Sequence, residues 1–199
     1  FFPQFAPYIS MALTPMVLTA RLYKKDHPDA RIVFIGPCAA KKLEASRRTI
    51  RSDVDFVLTF EEMQGVFDAK GINPAEMPVN PDEEFSTGTA AGRGFAVTGG
   101  VAAAVKEAIK EIDPDREVLV EHADGLRECR KMLMMAKTGK YNGYLLEGMG
   151  CPGGCVAGAG TIAPVKKSSA GVAKYKAAAQ SQNAVESKIT NRLKEVEES

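Results

Sequence analysis

Apolar and polar positions divide the chain into short β-branched runs alternating with longer stretches of helical spacing. Arg31 to Ile35 is a brief apolar run that predicts a buried strand, and Asp55 to Thr59, Glu117 to Glu121 and Tyr144 to Glu147 predict three more. Helical spacing follows over Ala39 to Ile50, over Phe60 to Lys70 closed by Gly71, and over Asp124 to Lys137 closed by Gly139. An earlier helix is predicted from Ser10 to Lys25, where Leu13, Met16, Val17, Ala20 and Leu22 form an apolar stripe and Thr14-Pro15 is a start signal. Pro3 and Pro7 confine Phe1 to Ser10 to the end of a helix and a loop. A Gly-rich segment from Phe85 to Gly100 leads into a helix reaching Ile112, and the Pro- and acid-rich Asn73 to Glu84 reads as a surface loop.

This alternation predicts an α/β fold built on a mostly parallel, four-stranded sheet flanked by helices. Beyond Pro164 the composition shifts to Lys, Ala, Ser and Gln. A long exposed helix is expected there from Ser168 to Glu198, with Val185, Ile189, Leu193 and Val196 as its thin apolar stripe. The expected division is therefore 1–164 and a C-terminal helical extension at 165–199.

A chain of 199 residues with 45% hydrophobic content buries a substantial core. Its net charge of +1 lacks the clustered basic excess of a nucleic-acid binder. No apolar run approaches the roughly 20 residues of a membrane span, and no charged-then-apolar leader is seen, so a cytoplasmic location is expected. The chain opens at Phe1 rather than Met and reads as a fragment of a longer protein. The glycines between Ser86 and Gly94 lack a following Lys-Ser/Thr and a directly preceding strand, so they do not predict a nucleotide site. His27 and His122 are the only histidines, which disfavours imidazole-type metal sites.

The chemistry is concentrated in cysteine. Cys38 leaves the carboxyl end of the first predicted strand in Gly36-Pro37-Cys38, the place where open α/β sheets hold ligands. Leu145 to Glu147 followed by Cys151 repeats the arrangement, and Pro152 suggests that Cys151 precedes a helix start. Cys151 and Cys155, four residues apart in a Gly-rich turn, suit two corners of an iron–sulfur cube better than one tetrahedral zinc. Taken alone, the pair is equally compatible with a local disulfide or with two buried thiols. Three cysteines at two strand ends, in a pattern unlike a disulfide framework, read as metal binding in a reducing compartment. Cys129 lies in an apolar helical stripe and reads as core.

Two segments carry a family resemblance: Gly-Pro-Cys-Ala-Ala-Lys-Lys-Leu-Glu at 36–44, and Glu-Gly-Met-Gly-Cys-Pro-Gly-Gly-Cys-Val-Ala-Gly at 147–158. Together with the intervening Phe95-Ala-Val-Thr-Gly-Gly-Val, they resemble the second and third signature motifs of the iron-only (FeFe) hydrogenase catalytic domain. The resemblance implies one lobe of a two-lobed domain holding an H-cluster, a 4Fe-4S cluster joined to a diiron subcluster with CO, CN and a dithiolate bridge. It makes Cys38, Cys151 and Cys155 cubane ligands, with Cys155 bridging to the diiron part. It places Lys41 as a hydrogen-bond donor to a cyanide, Glu44 near it, Phe95 and Met149 beside the cluster, and Ser10 on a proton path, where a hydroxyl also serves as a plain helix cap. H2 and protons are then the substrates, and a ferredoxin or upstream ferredoxin-like domains the electron partner.

The family's first motif, which carries the fourth ligand, falls outside this chain, so the fragment alone is expected to be inactive. Gly36 stands where many standard enzymes have Met, and Ala157-Gly-Ala-Gly-Thr-Ile-Ala-Pro replaces the usual ending, as in divergent or sensory branches. A hydrogen or redox sensor, and a non-catalytic iron–sulfur protein related to cluster assembly, are the alternatives on this scaffold. All three readings require the thiols of 38, 151 and 155 to gather at one sheet edge.

Overall fold

The computed structural model describes residues 1–78, 88–187 and 190. They form two compact units, one of Phe1–Phe34 with Ala40–Leu58 and the other of Ile35–Ala39 with Thr59–Thr190.

In the first unit a 3-10 helix at Pro3–Tyr8 precedes α1 (Pro15–Asp26). α1 starts at the Thr14-Pro15 signal and not at Ser10. Proline forces the residue before it out of the helical region, and Thr14 is extended at φ −66°, ψ 152°. Ser10 is therefore not a cap of this helix; it is exposed, and its Oγ accepts a 3.3 Å bond from the Ala12 amide. α1 buries Met16, Val17, Ala20 and Leu22, and the first three of these form a core with Val54, packed by Ile32, Phe34 and Ile50.

β1 (Val33–Ile35) pairs with β2 (Phe56–Leu58). Asp55 holds their entry together, accepting from the Ile32 amide at 2.8 Å, from Arg31 at 2.9 Å and from Lys24 at 3.2 Å. Those bonds, the Ile32 amide first, hold its carboxyl far below the usual carboxylate range.

α2 (Ala40–Ala45) is much shorter than the stretch from Ala39 to Ile50 that its spacing predicts. Ser46 Oγ bonds back to the Leu43 carbonyl at 2.7 Å, and Lys24 takes the Ser52 carbonyl at 2.7 Å. Arg21 pairs with Asp53 at 3.0 Å. These bonds to α1 fold residues 46–53 into turns.

The second unit opens with α3 (Phe60–Lys70), which has the predicted bounds. Thr59 and Glu62 form a reciprocal capping box, and Gly71 closes the helix at φ +66°. After α4 (Ala90–Arg93) and a 3-10 turn at Gly94–Ala96 come α5 (Gly100–Ile112), β3 (Leu119–Asp124), α6 (Leu126–Lys137) and β4 (Tyr144–Met149). β3 and β4 are parallel, in register from Leu119 with Tyr144 to Asp124 with Met149.

The α/β class with parallel strands is as the pattern predicted. The strands differ in one respect: among the described residues they pair as two two-stranded sheets, β1 with β2 and β3 with β4, instead of one sheet of four. α7 (Val165–Ala177) is shorter than predicted and begins earlier. Beyond it the chain leaves the helix because the Ser181 and Gln182 carbonyls accept the Ala90 and Ala91 amides, each at 2.8 Å. Ile189, Leu193 and Val196, and residues 79–87, lie outside the described residues. α7 packs within the second unit, where Arg93 stacks 4.0 Å over the Tyr175 ring and donates to its carbonyl at 2.9 Å. No helix among the described residues is long and apolar enough to cross a membrane.

Candidate metal centre

β4 delivers its chain directly into the cysteine loop. Residues 151–154 make a turn closed by a 2.9 Å bond from the Gly154 amide to the Cys151 carbonyl. Pro152 stands second in it, and Gly153 third at φ +97°, the arrangement a type II turn requires. Gly154 follows at φ +89°. Two successive positive φ values end any α-helix, so the helix start anticipated at Cys151 is replaced by this turn and a single 3-10 turn at Cys155–Ala157.

The loop is fixed by close backbone packing. A Cβ on Gly154 would lie 2.7–2.9 Å from backbone atoms of Thr98, Val97 and Ala96. One on Gly158 would lie 2.2 Å from the Pro37 carbonyl oxygen, and one on Gly160 2.4 Å from the Thr59 side chain. The Gly160 amide donates to the same Pro37 carbonyl at 3.0 Å. The residue before Cys38 is thus stitched to the segment after Cys155, although the two are more than a hundred positions apart.

Two carboxylates that the sequence pattern did not single out organise this region. Asp124, at the end of β3, accepts from the Gly153 amide at 2.6 Å and from the Thr98 hydroxyl at 3.3 Å. Glu147, buried on β4, accepts from the Gly99 amide at 2.7 Å and the Ala102 amide at 2.6 Å. It supplies from another strand the N-terminal cap that Gly99 cannot give α5.

Cys38, Cys151 and Cys155 are half-buried, and none of them is in a disulfide in this structure. Among the described residues no three His, Cys, Asp or Glu side chains stand together as a group able to hold a metal ion. What the fold brings together is the backbone of the cysteine segments, not a preformed cage of thiols. Phe95, in the 3-10 turn before α5, and Met149, the last residue of β4, are half-buried.

Lys41 and Glu44 lie on α2 in the first unit. The Lys41 ammonium donates to one Glu44 oxygen at 2.5 Å and the Thr14 hydroxyl to the other at 2.5 Å. Burial pushes the Glu44 carboxyl up, but the bonds from Lys41 and Thr14, with the charges of Lys41 and Arg47, outweigh it and leave it below its ordinary value. Cys129 sits under the sheet with Sγ 3.5 Å from the Met149 carbonyl and 3.7 Å from that of Ala123. Burial, with the Asp124 charge adding to it against a backbone hydrogen bond, pushes its thiol up, in keeping with a core role. His27 closes α1 with its ring 4.4 Å from that of Tyr23, and His122 is exposed within β3.

Residues 1–159 match the family described as iron only hydrogenase large subunit, C-terminal domain. The chain belongs to that family. Its relatives include the periplasmic [Fe] hydrogenase large subunit of Nitratidesulfovibrio vulgaris, 28% identical across 80% of this chain and 47% of the relative. A probable cytosolic Fe-S cluster assembly factor of Aedes aegypti is 29% identical across 79% of this chain and 43% of its own length. The chain thus spans about half the length of these curated relatives. Its fold matches an FeFe-hydrogenase of Chlamydomonas reinhardtii with a TM-score of 0.71 at 20% identity, covering 98% of this chain and 67% of the other.

For a hydrogenase-family domain the donor set is of the right chemistry. Three half-buried thiols are the soft ligands that iron–sulfur clusters take, and glycines at 154, 158 and 160 let the cysteine segments pack closely on neighbouring chain. The chemistry of the three thiols is that of iron–sulfur ligands, while among the described residues they do not stand as a ready-made group around a metal.

Proposed function

We propose that Cys38, Cys151 and Cys155 hold three corners of a 4Fe-4S cluster, and that the whole protein uses the attached diiron subcluster to interconvert H2 with protons and electrons. The observation that supports this most directly is the Pro37–Gly160 hydrogen bond, which joins the two cysteine segments where Gly158 leaves no gap. When bound, the diiron group with its CO, CN and dithiolate ligands supplies the metal chemistry for H2. The chain's own contributions are thiolate ligation, with Cys155 as the bridging ligand, and apolar cover from Phe95 and Met149 that excludes water. Lys41 presents an ammonium to an anionic ligand, oriented by Glu44, and Ser10 lies on the route by which protons arrive. A ferredoxin or ferredoxin-like domain exchanges electrons with the cluster.

The test is anaerobic reconstitution of the full-length protein with iron and sulfide, followed by loading of the diiron group. Cys38→Ser, Cys151→Ser and Cys155→Ser should each lower bound iron, whereas Cys129→Ser should not. Infrared bands of bound CO and CN should then appear in the wild type; their absence from a protein that carries its full cubane iron and has been offered the diiron group refutes the hydrogenase reading. The 29% identity to an Fe-S cluster assembly factor supports a second reading, a domain that holds the cubane alone. That reading gives the cubane's electron paramagnetic signal without the infrared bands.

A further inference from the structure

Asp124 occupies a position that neither the motifs nor the ligand assignment use. It is the last residue of β3, paired in register with Met149, the last residue of β4, so both strands end level with each other where the cysteine loop begins. The next residue, Gly125, has φ +85° and ψ 154°, a conformation essentially reserved for glycine, and its amide is held by the Met149 carbonyl at 2.8 Å. The backbone carrying Asp124 is therefore pinned on both sides. Its side chain reaches across to the cysteine loop, where Oδ1 takes the Gly153 amide at 2.6 Å and the Thr98 hydroxyl at 3.3 Å. Gly153 lies two residues from Cys151 and two from Cys155. Thr98 belongs to the segment on which Gly154 packs without room for a Cβ. One carboxylate oxygen thus joins the midpoint of the loop to the wall behind it.

We propose that Asp124 is a positioning residue for the metal centre: by holding the Gly153 amide it sets the relative placement of Cys151 and Cys155. The inference rests on the ligand role proposed above for those two thiols. A charge-assisted hydrogen bond from backbone amide to carboxylate is among the stronger single contacts a loop can make. This one is made in a turn whose two positive-φ glycines give the backbone little local preference of its own. Besides it the turn has its 2.9 Å internal bond, the 3.0 Å bond from the Ala157 amide to the Gly154 carbonyl and the fit of Gly154.

The clamp is tested in the cluster-free full-length protein by measuring iodoacetamide labelling of each cysteine by mass spectrometry. Asp124→Ala should speed labelling of Cys151 and Cys155 about tenfold relative to Cys38, the factor that loss of one such bond produces. Asp124→Asn keeps an oxygen acceptor in the same place and should stay within about twofold of wild type by the same reasoning. Equal rates in wild type and Asp124→Ala overturn the clamp, and so does an Asp124→Asn protein as fast as Asp124→Ala. Reconstitution with iron and sulfide then tests the positioning role: wild type and Asp124→Asn should retain more iron under a chelator challenge than Asp124→Ala, and equal retention by all three overturns that role. A wild type that takes up no iron refutes the ligand assignment itself, while the labelling result still decides the clamp.

Discussion

Gly158→Ala is the substitution on which the packing around the cysteines can be judged most sharply. The added methyl would stand 2.2 Å from the Pro37 carbonyl oxygen, 3.0 Å from its carbon and 3.1 Å from the Cys155 carbonyl oxygen, all of them backbone atoms. Ordinary contact would need roughly 1 Å more, and no side-chain rotation can provide it. The two segments must separate, which lengthens the 3.0 Å bond from the Gly160 amide to Pro37 beyond use. Overpacking of this kind costs about 1–3 kcal/mol and the lost hydrogen bond about 1 more, so a loss of about 2–4 kcal/mol is expected. With a urea slope of about 1–3 kcal/mol/M the unfolding midpoint should fall by about 0.7–4 M, and the Gly160 amide should exchange with deuterium faster than in the wild type. Gly171→Ala is the matched control: it lies within α7 with nothing within 4 Å of its Cβ position and should gain about 0.5–1 kcal/mol. If Gly158→Ala unfolds at the wild-type urea concentration with Gly160 equally protected, the tight apposition of the two cysteine segments is wrong.

Two further outcomes follow from the buried and paired carboxylates. Glu147→Ala leaves the Gly99 and Ala102 amides without their acceptor beside a buried Ala102 and should cost about 2–4 kcal/mol in urea unfolding, with Glu147→Gln costing roughly half; a neutral Glu147→Ala would show that α5 does not depend on this cap. Glu44 and Asp55 both have folded-state values below their ordinary ones, so their contribution to stability is present above the ordinary carboxylate range and is lost as pH falls through the folded values. The urea midpoint should therefore be level near neutrality and decline below about pH 4, and Asp55→Asn should flatten that decline; an unchanged slope in Asp55→Asn would remove Asp55 from the account.

Much of the fold was legible because its signals are local. Pro15 marks the start of α1, Phe60 to Lys70 is the whole of α3, and Gly71 ends it, since each is decided within a few residues. The cysteine segments were legible for the same reason, as strand ends followed by glycine. Signals failed where a distant partner decides. Residues 46–50 have helical spacing, but Arg21 and Lys24 of α1 take the Thr49 and Ser52 carbonyls and the Asp53 carboxylate and hold the segment in turns. The helix anticipated up to Glu198 stops at Ala177 because α4 needs carbonyls for its first amides. Asp124 lies outside the motifs and Glu147 opens one of them, but no pattern gave either carboxylate its role, because the amides they hold belong to loops that spacing alone cannot bring near them. Thr14 stands at the start of α1 as its pairing with Pro15 predicted, but spacing could not show that its hydroxyl serves Glu44 on another helix.

The bond between Pro37 and Gly160 also carries a schedule for biosynthesis. At about 5–20 residues per second a ribosome needs some seconds to tens of seconds to make the stretch separating them, so Cys38 is made that long before Cys151 and Cys155. Closing so long a loop then costs about 4 kcal/mol of chain entropy, which must come from packing elsewhere in the unit before the ends meet. A group held by both Cys38 and Cys155, as proposed above, needs both segments to have been made, so its full ligation follows synthesis of residue 155.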